Sequence, residues 1–171
     1  MRLLSHHPVS LRYEDKRQDS SYNQKMEKLA RSSMNYTLFG LAGGFYYREL
    51  TRHVGFDRAF PTQLRAFHTH CISLGTLYFL LVLVLEKQFK LSKQKDYKKF
   101  YISYNIGLGF TLLMMLAHGT MTVLGKEESS HWMRWPAGLG HLGLSTGFYY
   151  FFKVLRAAIR DDVAATAPPS S

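Results

Sequence analysis

Between Ala66 and Leu85 the chain runs AFHTHCISLGTLYFLLVLVL, with no Asp, Glu, Lys or Arg. At about 1.5 Å of rise per residue, a helix of this length crosses the ~30 Å hydrocarbon core of a bilayer. A second uncharged stretch, YISYNIGLGFTLLMMLAHGTMTVL, extends from Tyr101 to Leu124. In a chain of 171 residues, two such helices leave too little protein to bury them as a soluble core. Two shorter apolar stretches, MNYTLFGLAGGFYYREL (34–50) and PAGLGHLGLSTGFYYFF (136–152), reach spanning length only with flanking Tyr and Trp residues. The expected fold is all-α: an integral membrane four-helix bundle with spans at about 34–50, 66–85, 101–124 and 136–152. The membrane domain would occupy residues 31–160. A basic polar extension (1–30) precedes it, and a disordered tail (161–171) rich in Ala, Pro and Ser follows.

Charge gives the orientation. The 22 Lys and Arg against 12 Asp and Glu leave +10, a balance that a nucleic-acid binder would share. Here, however, the cations fall between the apolar runs rather than along one stripe, so the expected partner is a lipid bilayer and not a nucleic acid. Sixteen of the 22 lie in the N-terminal extension, the second loop and the C-terminal segment; the other two loops carry six. By the positive-inside bias, both termini face the cytoplasm or the mitochondrial matrix. The membrane would be a bacterial cytoplasmic or a mitochondrial inner one. The basic loop EKQFKLSKQKDYKKF suits anionic headgroups, although a solvated polar turn would look the same. The N-terminus has no apolar core long enough for a signal peptide; its early Arg and Ser residues suit an organelle presequence, Glu14, Asp15 and Asp19 oppose one, and both readings stay open.

This orientation gathers histidines. His68 and His70 lie near the outer end of the second span, His118 in the outer third of the third, and His141 in the first turns of the fourth. His53 and His131 fall in the outer loops; only His6 and His7 lie elsewhere. His70, His118 and His141 would sit roughly 5–10 Å below the outer boundary. His68 and His70 are two residues apart and point to nearly opposite sides of a helix, so the deeper His70 is the one expected to join such a centre. Ionisable residues in a span are costly and usually face the bundle interior. Three readings follow: haem b on histidines of facing helices, with Arg48, Arg65 or Arg134 near its propionates; a copper or zinc site on His70, His118 and His141; or a proton or ion relay. Against all three stands the plainer reading, histidines as polar glue between helices.

Other features are quieter. Gly40 with Gly44, and Gly143 with Gly147, are small-xxx-small pairs that allow close helix approach, within one bundle or between copies. Cys71 is the one cysteine, which excludes an internal disulfide, and its apolar surroundings suit an inert thiol. Gly143 to Gly147 match G-x-S-x-G around Ser145, but a nucleophile elbow needs a strand-to-helix turn and this stretch is helical. No phosphate-binding loop and no repeated histidine boxes of a di-iron oxygenase occur. Tyr46, Tyr47, Trp132, Trp135, Tyr149 and Tyr150 read as an interfacial belt.

Four segments, FGLAGGFYYRELTR (39–52), TQLRAFHTHCISLGTLYFLLVLVLEKQFKL (62–91), YNIGLGFTLLMMLAHGTMTVLG (104–125) and AGLGHLGLSTGFYYFF (137–152), carry a resemblance. The HTH followed by LG, the LEK, the YN-x-GL and the GLGH are its most specific parts. Over about residues 26–160 the chain resembles a bacterial family of small four-span membrane proteins of unknown function, the domain-of-unknown-function 2871 type. The resemblance implies four helices and supplies no activity or site. HTH-x-x-x-LG is also similar to histidine motifs of haem-copper oxidase-like membrane proteins. Two functions are therefore expected. One is a redox-associated membrane protein holding haem or a metal through His70, His118 and His141, with His68 as a supporting partner. The other is an accessory subunit of a larger membrane complex, such as a respiratory one, with no cofactor of its own. Neither requires the chain to be an enzyme.

Overall fold

A computed structural model describes residues 8–126 and 134–166, with side chains from 20 to 126 and from 138 to 166. Among these residues there are four long helices and no strand. Helix α1 runs Pro8–Val54, α2 Gln63–Phe89, α3 Tyr97–Val123 and α4 Arg134–Thr166. Two of them, α2 and α3, are long and apolar enough to cross a membrane.

Local chemistry sets the ends. Gly55 and Gly125, at φ +67° and +69°, stop α1 and α3 in the left-handed region that only glycine enters cheaply. Thr62 caps α2: its Oγ1 accepts from the Leu64 N–H at 3.3 Å and donates to the Gly119 carbonyl at 3.2 Å. At the other end of α2, Lys90 is left-handed (φ 53°) and its N–H reaches the Glu86 carbonyl at 2.8 Å. The Glu86 side chain is fully buried, and its Oε2 accepts from the Ser92 N–H at 2.7 Å. The acid of the LEK motif thus ties the tight connection into α3.

Each helix runs antiparallel to the one before it. Down α1 and α2, Gly40 meets Cys71, Gly75 meets Tyr36, and Tyr22 reaches Glu86. Gly119 of α3 lies against Leu64 of α2, and Tyr104 lies against Leu74. Gly107 of α3 meets Gly143 and Leu144 of α4. One end of the bundle therefore carries the end of α1, the start of α2 and the end of α3; it is the histidine end. The opposite, lysine end carries the α2–α3 connection. Between the ends an aromatic cluster fills the interior: Tyr78 stacks on Tyr104 at 4.2 Å between ring centroids, with Phe79, Phe100, Phe148 and Phe151 edge-on or tilted around them.

The helices run past the expected spans. At 47 residues, α1 is about 70 Å long, more than twice a hydrocarbon core. Residues 8–30, read from the sequence as a polar extension, are helical and continuous with the first apolar stretch. Likewise α4 continues to Thr166, so residues 161–166 of the expected disordered tail are helix; no Pro or Gly interrupts the chain there before Pro168. Residues 167–171 lie outside the described part.

Candidate functional site

The helix contacts set the depth of each histidine. Gly119 faces Leu64, so His118 is level with residue 65 of α2, about 7 Å nearer the histidine end than His70. Gly140 and Gly143 face Thr111 and Gly107, so His141 is level with about residue 110 of α3, on the order of 12 Å deeper than His118. His70 and His141 share a depth within about one turn; His118 does not. The expectation of one common level is corrected, because the register that sets Gly119 on Leu64 puts His118 beside the first turn of α2.

Orientation separates the histidines further. His141 is exposed on the outside of α4, while His70 and His118 are partly buried. Among the described residues, no group of three or more His, Cys, Asp or Glu side chains is placed to hold a metal ion. His70, His118 and His141 therefore do not form the three-ligand copper or zinc set that their sequence positions suggested. The interior at this level is filled by Leu64, Phe67, Cys71, Leu112 and Met115.

His70 and His68 each bond a backbone carbonyl. His70 Nδ1 lies 2.9 Å from the Ala66 carbonyl, and His68 Nδ1 lies 3.0 Å from the Gly40 carbonyl of α1. A carbonyl only accepts, so Nδ1 carries a proton in both and bonds through it, leaving Nε2 outside these bonds. His68 bridges two helices, with its ring along Gly44; a Cβ added there would meet Nδ1 at 3.6 Å. Gly40 is closer still: its missing Cβ would lie 2.8 Å from the Cβ of Cys71. The Gly40–Gly44 pair thus serves packing within the chain, and Gly143 and Gly147 do the same against α3. Cys71 is buried and free. Arg48 pairs with its neighbour Glu49 at 3.3 Å, and Arg65 is exposed. The side chain of Arg134, together with His131, lies outside the described part. Ser145 is exposed in mid-helix.

A second polar region was not visible as a unit in the sequence. Residues Cys71–Leu77 of α2 form a π-helix. Its looser winding turns carbonyls toward neighbouring helices, and these are captured. Tyr104 Oη donates to the Leu74 carbonyl at 2.9 Å, and Ser33 Oγ donates to the Thr76 carbonyl at 3.1 Å. Thr37 and Thr76 hydroxyls meet at 2.8 Å, Tyr36 Oη donates to Asn105 Oδ1 at 3.1 Å, and Ser32 and Tyr101 hydroxyls meet at 2.7 Å. A polar seam therefore ties α1, α2 and α3 through the apolar zone. The available signal was helical spacing: Ser33, Tyr36 and Thr37 share one face of α1.

No curated protein and no solved structure matches the chain. A family model described as protein of unknown function (DUF2871) matches residues 26–158. That match takes in α2, α3, the apolar part of α1 and nearly all the packing residues of α4, and the chain belongs to this family.

Proposed function

We propose that the chain is a four-span integral membrane protein, lysine end inside, that works as a packing subunit of a larger membrane assembly. The observation that carries this is where the apolar side chains point. In a soluble protein, helices as apolar as α2 and α3 are core helices and mostly buried. Here only 22% and 39% of their apolar windows are buried. The outward apolar surface continues on the other two helices, with Leu38, Leu41 and Phe45 of α1 and Leu139, Leu142 and Phe152 of α4 all exposed. A soluble monomer seldom carries so much contiguous apolar surface, whereas lipid tails cover it at no cost. The first and fourth stretches fall short on length and composition alone, because of Arg48, Glu49 and their Gly and Tyr content. Their outward faces support spanning nonetheless.

The packing role draws on the histidine bonds. His68 links α2 to the α1 backbone, and His70 satisfies a carbonyl of its own helix, both as polar glue. A haem- or metal-linked role is the second reading and has its own observation. An Nδ1–H held by a carbonyl, with Nε2 left over, is how ligating imidazoles are usually fixed.

Two measurements test these readings. A reduced-minus-oxidised absorption spectrum of protein purified in mild detergent, with metal analysis, is expected to show no haem and no stoichiometric metal. A Soret band abolished by His70→Ala would replace the packing role with electron transfer. For topology, Arg58→Cys and Lys93→Cys in a Cys71→Ser background are expected to label from opposite sides; labelling from one side would break the four-span reading.

A further inference from the structure

We propose that the lysine end binds the headgroup of an anionic glycerophospholipid and that an adjoining groove takes one of its acyl chains. The inference rests on the membrane reading above. A cavity of about 520 Å³ opens between α1 and the α2–α3 connection, lined by Lys25, Lys28, Lys95 and Lys98. Ser92, Gln94, Tyr97 and Tyr101 supply neutral polar groups to its wall, and among the described residues no carboxylate lines it. Four ammonium groups around one concavity repel each other, and a phosphate between them reverses that. Lys28 is already held to the wall, its Nζ 4.3 Å from the centroid of the Tyr101 ring. Basic pockets between transmembrane helices on the inner side are where acidic headgroups bind.

The second observation separates a lipid from a free phosphate. Lys98 and Ile102 also line a groove of about 640 Å³ between α3 and α4, whose walls include Ile106, Leu139, Leu142 and Tyr150. Ile106 and Leu142 are 66% and 65% exposed there, so the groove is open and apolar. A free phosphate has no use for such a surface. A lipid with its phosphate among the lysines has its chain beginning at Ile102, where the groove begins.

The test uses the full chain in mild detergent, offered phosphatidylglycerol and phosphatidylcholine in equal amounts, with bound lipid read by native mass spectrometry. Phosphatidylglycerol is expected to be retained preferentially. Lys25→Gln with Lys98→Gln should weaken it about fivefold for each lysine removed. Ile106→Trp, which narrows the groove and leaves the lysines intact, should weaken it as well. Equal retention of both lipids overturns the proposal. So does full displacement by millimolar inorganic phosphate combined with no effect of Ile106→Trp, which would mark a site for a soluble anion. Carbonate extraction of native membranes keeps the two readings apart. A protein released by carbonate fails the membrane reading, while one retained without lipid preference fails only this proposal.

Discussion

The seam between α3 and α4 and the seam that joins α1, α2 and α3 solve one problem in two ways. On the membrane reading proposed above, no hydrophobic force pulls the helices together, so they associate by close packing or by polar bonds. The α3–α4 seam uses backbone. A Cβ at Gly107 would collide with the Leu144 N–H, one at Gly143 would lie 2.8 Å from the Gly107 Cα, and one at Gly147 would lie 2.7 Å from the Tyr104 Cα. The other seam has glycine contacts as well, Gly75 on Tyr36 and Gly119 on Leu64, and adds hydroxyls and a π-helix. Through the apolar zone the first is steric, so a single added side chain defeats it. The hydroxyl bonds of the second are a sum of small terms, and each is expendable.

The largest effect should therefore come from filling the glycine seam. Gly107→Leu meets backbone on α4 that cannot rotate away, and we expect a loss of about 3 kcal/mol or more. Gly109 has nothing within 4 Å of where its Cβ would be, so Gly109→Leu is the matched control and should leave stability nearly unchanged. Unfolding in mixed micelles as the denaturing detergent is raised reads both. If the two variants unfold together, α3 and α4 are not in backbone contact and the contrast between the seams fails.

A smaller effect is expected on the polar side. Tyr104→Phe deletes the bond to the Leu74 carbonyl and keeps the ring stacked on Tyr78. Interhelical hydrogen bonds in membranes contribute about 0.6 kcal/mol on average and seldom exceed about 2. The loss should fall in that range, and Ser33→Ala should add a comparable amount. Faster amide exchange confined to Cys71–Leu77 would show that Tyr104 holds the π-helix. A loss as large as that of Gly107→Leu would reverse the ranking of the two seams.

These seams also mark what the sequence could say. The apolar runs at 66–85 and 101–124 were legible because length and the exclusion of charge are both one-dimensional properties. The small-xxx-small pairs were legible as packing devices but not as to their partners. Gly107, which has no glycine four residues away on its own helix, went unnoticed because its partner Gly143 lies on α4. The histidines misled for a related reason. Their depths were counted from span ends, whereas the register of α3 against α2 is set by Gly119 on Leu64. Depth along a sequence does not fix depth in a bundle, nor the face from which a ring projects. The polar extent of α1 and α4 was missed because a helix held by its neighbours over part of its length can continue without an apolar pattern.

The smallest effect belongs to an ionic tie on the glycine seam, which lies outside the apolar zone. Asp96, only 7% exposed, immediately precedes α3; its Oδ2 meets Lys153 Nζ of α4 at 2.7 Å, and its Oδ1 meets Lys99 Nζ at 3.0 Å. Hydrogen bonds from Lys153 first, and from Lys99 next, hold its carboxyl at about 2, below the ordinary 3.8. A depressed carboxylate stabilises the fold fully above its ordinary value, and that contribution is lost as pH falls from about 4 through about 2. Both lysines are more than half exposed, so water and salt screen the pair and the effect stays below that of Tyr104→Phe. Stability measured from pH 6 to pH 2 should show the wild type above Asp96→Asn at the top of the range, with the two converging toward pH 2. Added salt should narrow the gap at pH 6. Curves that stay parallel across the whole range would mean that the clamp adds nothing, and that the glycine contacts alone hold α4 to α3.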